Sequence, residues 1–270
     1  MGKILISPNN TKIIKKSLNI ADGYVIGIKG YSINYPSFNL DEILAIIDFC
    51  KKNNKEIYVV LNKNIHNKEI EEVKEILNKL NNINGLFYYD NAIISLKNKL
   101  NLNYDLVWDQ EHQTTNYLTI NNYYNLGIKK VHLSNDITLR EMNEIKENTK
   151  SEIIVTVFGY LPMFASQRHL IKNYSDQFNL INNSSINYMS KEGKDYKIID
   201  NELGTQVYTD SIFSMLDELN NIKADYILFN SYLIDDFEYV LDNINNVENI
   251  NLKYQTKPYF KDVETIYKVK

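Results

Sequence analysis

The chain has 270 residues, 44% hydrophobic and 24% charged, with a net charge of −4. That length suits one α/β barrel with a sizeable core. The absence of a basic excess argues against nucleic-acid binding by bulk charge, leaving only a local basic patch open. One cysteine, Cys50, excludes an intrachain disulfide and a zinc or iron–sulfur site built from this chain's thiolates alone.

Short apolar runs alternate with helix-period runs along the chain. Strands are predicted at Lys3–Pro8, Gly23–Lys29, Glu56–Asn62, Gly85–Asp90, Tyr104–Gln110, Lys129–Asn135, Glu152–Gly159 and Ala224–Ser231. Their nearly continuous apolar character is that of parallel strands covered on both faces. The clearest helices are predicted at Leu40–Asn53, Lys68–Leu80, Thr138–Thr149 and Asp235–Val247. Thr138 with Glu141 forms a capping-box pattern, and Cys50 falls on an amphipathic helix as a small core residue. Gly23, Gly85 and Gly127 stand at helix-to-strand joints, where left-handed caps are expected.

Eight strands with crossover-length connections predict a closed (β/α)₈ TIM-barrel-like fold. No Gly-x-Gly-x-x-Gly follows the first strand and no Gly-x-x-x-x-Gly-Lys loop occurs, which counts against a dinucleotide or P-loop site. The repeat breaks between strands seven and eight at a long insertion, 160–223. It carries a helix-like stretch, Ser166–Tyr174, and a hairpin, Ile186–Ile199, turning at Glu192-Gly193-Lys194-Asp195. The tail, 250–270, alternates apolar and polar residues and is expected to wrap back as an extended strand. The whole reads as a single barrel domain, 1–270. The start lacks a secretory apolar region and no run spans a membrane, so the expected location is the cytoplasm with no membrane partner.

Ligands of such barrels bind at the C-terminal strand ends. The end of strand five is the densest, Trp108-Asp109-Gln110-Glu111-His112. Alternation points Trp108, Gln110 and His112 one way, Asp109 and Glu111 the other. A Glu111–His112 pair can do acid–base work near neutral pH; the alternative is that the cluster caps the next helix. Asn62, Asp109, Asn116, Asn135 and Arg168 are candidate substrate contacts. His66 is expected on a solvated loop and His132 as a hydrogen-bonded imidazole buried in strand six; no spacing indicates a metal site. Only Arg140 and Arg168 are arginines among 30 basic residues, so each marks a position where a planar donor fork is a reasonable expectation. Arg168 is read either as a fork over the barrel mouth or as a structural group bonding loop carbonyls. No Gly-x-Ser-x-Gly, His-Glu-x-x-His or Cys–His nucleophile pattern is present.

The segment Phe158–Leu170 resembles the signature region of the collagenase-like peptidases, peptidase family U32. In that family a strand ends in His-Gly, followed by a Cys, then Arg and a second Cys. Here Phe158 replaces the His, Gly159 matches, Pro162 stands near the first Cys, Arg168 matches, and His169 replaces the second Cys. Trp108 to Tyr117 with Thr119-Ile120-Asn121, Gly204-Thr205 before Asp210, and the ending Glu264–Lys270 resemble short members from Gram-positive and wall-less bacteria. The resemblance implies relatives that hydroxylate the tRNA wobble uridine, a ribosomal RNA cytidine or the ubiquinone ring, using cysteines that hold an iron–sulfur cluster. Those cysteines are missing here, so no cofactor is expected on this chain alone. The function it implies is an accessory subunit in tRNA wobble-uridine hydroxylation, with a cysteine-bearing paralogue and tRNA as partners. The alternatives are a peptidase of unassigned mechanism and a non-catalytic barrel holding an anion through Arg168.

Overall fold

A computed structural model describes residues 2–110, 112–182 and 184–263. Eight barrel strands run in chain order: Lys3–Ser7, Gly23–Ile28, Glu56–Leu61, Gly85–Tyr88, Asp105–Trp108, Lys130–His132, Glu152–Gly159 and Tyr226–Asn230. Each pairs in parallel with the next. Strand eight also pairs in parallel with strand one, Lys3 opposite Tyr226, and this closes the sheet into a (β/α)₈ barrel.

The strands bury both faces. Inside lie Leu5, Val25, Tyr58, Phe87, Val107 and Leu228; outside, between sheet and helices, lies the larger core that includes Trp108 stacked on Tyr123. Each fully buried side chain of this kind contributes roughly 1.5–3 kcal/mol. Helices follow the first six strands at Thr11–Lys16, Leu40–Lys52, Ile70–Lys79, Ala92–Leu100, Tyr117–Asn125 and Leu139–Asn148. Capping boxes start two of them, Asn39 with Glu42 and Thr138 with Glu141, each satisfying amides that the first turn leaves free. Among the described residues no helix is long and apolar enough to cross a membrane.

Three local expectations are corrected. Of Gly23, Gly85 and Gly127, Gly127 alone has a positive φ, +92°. Gly23 begins a strand, where a Cβ would stand 2.8 Å from that of Glu56; the requirement there is close strand approach. The helix expected at 235–247 is two, Phe237–Asp242 and Val247–Lys253, because the run Asn243–Asn246 breaks it. The second helix occupies the start of the tail. Among the described residues of the tail, only Thr256–Lys257 then forms a strand, parallel to Ile212–Ser214, which itself runs antiparallel to the end of strand seven; Glu264–Lys270 lies outside the described residues.

Between strands seven and eight the insertion builds a lid over the mouth. Its antiparallel sheet has the order Asn187–Lys191, Lys194–Asn201, Gly204–Tyr208, Pro162–Ser166, with a helix at Leu170–Phe178. The hairpin turns through Glu192 and Gly193 at φ 53° and 72°, the left-handed pair that a two-residue hairpin loop requires. The helix begins four residues later than expected because Ser166 is still paired, opposite Thr205.

Candidate functional site

Strand register assembles the site. Trp108 of strand five lies opposite Val131 of strand six, so the residues that follow, Asp109 and His132, stand side by side. Trp108 is fully buried in the outer core, and alternation therefore turns Asp109 into the barrel. His132 Nδ1 lies 2.8 Å from Asp109 Oδ1, and His132 Nε2 lies 2.8 Å from Thr156 Oγ1 on strand seven. Asn62, past the end of strand three, donates from Nδ2 to Asp109 Oδ2 at 3.2 Å. The same amide bonds both polar atoms of the Ile33 backbone, at 2.7 and 3.0 Å, and so fixes the loop after strand two. Asn230 Nδ2 donates to Asn34 O at 2.7 Å, tying that loop to strand eight.

Above the pair opens a cavity of about 260 Å³, lined by Asn34, Asn62, Asp109, His132 and Asn135 from the barrel and by Pro162–Ala165 from the lid. Asn135 Oδ1 and Asn34 Oδ1 are buried and have no hydrogen-bond partner among the described residues. A buried polar atom left unbonded costs about 1–3 kcal/mol, so these two acceptors are placed for a ligand's donors. Lys63 also reaches the cavity, held by Glu69 at 2.7 Å and lying 4.6 Å from the centre of the Tyr31 ring.

Hydroxyl, imidazole and carboxylate stand in the order of a nucleophile, its base and the group that orients the base. The Thr156 hydroxyl, however, is buried below the imidazole, and Thr156 does not line the cavity. The arrangement locks His132 on both nitrogens and presents no nucleophile to the mouth.

Of the residues singled out in the sequence, Asn62, Asp109 and Asn135 converge at the mouth. His112 reaches its rim with an exposed side chain, 3.4 Å from Asp136. Glu111 lies outside the described residues. Asn116 caps the helix Tyr117–Asn125 by accepting from Thr119 N at 2.9 Å and is absent from the cavity lining. Arg168 is exposed on the lid and also absent from that lining; its backbone, not its fork, makes the local bonds, to Ser166 and Thr205. His66 is not merely solvated: its Nε2 lies 2.8 Å from Gln167 Oε1 and joins the strand-three loop to the lid. His132 is the bonded buried imidazole expected, but it also faces the cavity. Sequence reading missed that role because its partners are distant in the chain.

A cysteine-held cluster does not fit these residues. Cys50 is buried on the helix Leu40–Lys52, away from the mouth, and burial pushes its thiol up to about 12. At the positions of the family's motif, Phe158 is fully buried, Pro162 pairs with Tyr208 in the lid sheet, and His169 bonds Asp200 at 2.9 Å. Gly159 is needed where it stands: φ is +148°, and a Cβ would meet Asn230 O at 2.9 Å.

Fold and site define a (β/α)₈ barrel with a hydrogen-bonded Asp–His pair at its mouth and a lid sheet between strands seven and eight. The profile of peptidase family U32 matches residues 9–183, and the chain belongs to that family. It is 24% identical to tRNA hydroxylation protein P2 of Bacillus subtilis over 98% of this chain and 99% of that one. It is 24% identical to tRNA hydroxylation protein P1 of the same organism over 64% of this chain and 42% of that one. An uncharacterized protease of Methanocaldococcus jannaschii is 28% identical over 64% of this chain and 44% of that one. The chain thus spans less than half the length of the latter two relatives.

Proposed function

We propose that this chain acts in tRNA wobble-uridine hydroxylation as a subunit that depends on a cysteine-bearing paralogue. The observation that carries this reading is the end-to-end match to tRNA hydroxylation protein P2, set against a match to only 42% of tRNA hydroxylation protein P1. The mouth agrees with it in kind. It offers amides, a carboxylate and a fixed imidazole, a lining suited to a polar planar group of small size. Among the described residues no serine, threonine or cysteine lines it, which disfavours the peptidase reading. With a single buried thiol, the chain leaves any iron–sulfur chemistry to its partner.

The test is mass spectrometry of tRNA nucleosides from a strain lacking only this gene and any redundant paralogue. Loss of wobble 5-hydroxyuridine-type nucleosides, restored by the wild-type gene, is the expected result. An unchanged nucleoside profile contradicts the proposal.

A further inference from the structure

The lid exposes large apolar side chains. Of the fourteen exposed large apolar residues among those described, nine lie between Met163 and Met189. Register sorts the two faces of the sheet, since residues directly opposite share a face. Tyr188, Lys197 and Tyr208 form one row. That row packs on the barrel rim: the Lys197 ammonium sits 4.0 Å from the centre of the Tyr160 ring, and the Tyr208 ring is 5.6 Å from that of Tyr232. The opposite row is Asn187, Ile198 and Val207, with Met189 and Tyr196 one step along on the same side, and it lies on the side of the sheet away from the Lys197 and Tyr208 contacts; it ends at Phe164 on the strand that borders the cavity. The helix Leu170–Phe178 starts over this outer side, where Asp200 accepts from Ile171 N and Thr205 Oγ1 from Leu170 N. None of its residues is buried, and Tyr174 and Phe178, four apart, are 58% and 59% exposed.

Strand Asn187–Lys191 is one of the two edges of this sheet, the other being Pro162–Ser166 at the cavity. Edge strands normally carry charges, a proline or a bulge that block further pairing. This one reads Asn-Tyr-Met-Ser-Lys, pairs regularly, and has its one charge at the turn end. In a hairpin with a two-residue loop, the residues flanking the loop bond each other, so alternation leaves the N–H and C=O of Tyr188 and Ser190 pointing outward.

We propose that this edge and the outer face beside it are a self-association surface, occupied by a second copy of the same chain in antiparallel pairing about a two-fold axis at Met189. The sequence of the strand supports a second copy as the occupant. In the register that overlaps all five residues, Met189 meets Met189, Tyr188 meets Ser190 and Asn187 meets Lys191. No like charges face each other, and the outward amides of Tyr188 and Ser190 bond across the axis. The two lid sheets become one continuous sheet, with the exposed Tyr188 and Met189 of both copies at the seam. The inner face and the cavity stay free, so the pairing is independent of the reaction at the mouth.

The experiment is sedimentation equilibrium on the full chain at about 50 μM, a concentration that populates a dimer of micromolar affinity. A mass of twice 31.7 kDa is expected. Met189→Lys, which sets two ammonium groups against each other, weakens association at least about tenfold while the thermal melt is retained. Met189→Cys gives a covalent dimer on mild oxidation, because directly opposed residues of this pair class approach within disulfide reach, whereas Ser190→Cys does not. A wild-type chain that stays monomeric at that concentration overturns the proposal, even if it binds a longer family member. A dimer indifferent to Met189→Lys, or one that fails to cross-link through Met189→Cys, overturns it as well.

Discussion

The two ends of the barrel use polar groups in opposite ways, and strand six carries both: Lys130 and His132 are two residues apart and face inward together. At the foot the charges around the barrel axis are paired. Lys130 bonds Glu152 at 2.5 Å, Lys3 bonds Glu56 at 2.5 Å, and Tyr58 donates to Glu56 at 2.6 Å. The Tyr58 ring packs edge-on against Phe87 and Tyr226 and plugs that end. At the mouth Asp109, His132 and Thr156 are bonded to one another, yet acceptors of Asn34 and Asn135 stay unbonded beside an open cavity. Polar groups that complete their bonds within the chain serve the fold, whereas those left incomplete at an opening are available to a ligand.

The contrast can be broken by substitution. The largest expected effect is at the foot: Tyr58→Ala removes a fully buried ring and should destabilise by about 3–5 kcal/mol in denaturant unfolding. A smaller effect concerns acid stability. Burial pushes the Glu56 carboxyl up, but hydrogen bonds from Lys3 and Tyr58 outweigh it and hold the group below its usual range. The stability it contributes is therefore fully present above the ordinary carboxylate range and lost as pH falls through the lowered value. Urea unfolding of Glu56→Gln should show a shallower loss on acidification than the wild type. The smallest stability change is expected at the mouth. Asn135→Ala removes an acceptor that bonds nothing among the described residues, so stability should stay within about 1 kcal/mol while hydroxylation in vivo falls.

The barrel was legible because parallel strands covered on both faces leave continuous apolar runs, and all eight fall where the sequence places them. Alternation also separated Asp109 from Trp108, but it sent His112 to the side of Trp108, whereas past the strand end His112 reaches the cavity with Asp109. What it could not supply was the neighbour across the sheet. Asp109 and His132 become partners through register, which depends on loop geometry and packing over the whole barrel. Arg168 misled for a related reason. Its distance past strand seven suggested the mouth, but pairing of Pro162–Ser166 with Gly204–Tyr208 carries the chain onto the lid and leaves the guanidinium in solvent. The lid itself was only half readable, since its central strand pairs with a segment forty residues earlier.

The most direct test of the mouth as the working end is complementation of the deletion strain, read by mass spectrometry of wobble-uridine nucleosides. Folded His132→Gln, which breaks the bond to Asp109 or Thr156, should fail to restore the hydroxylated nucleosides, while Arg168→Ala should restore them fully. Restoration by His132→Gln together with failure of Arg168→Ala would contradict the account and move the functional centre onto the lid.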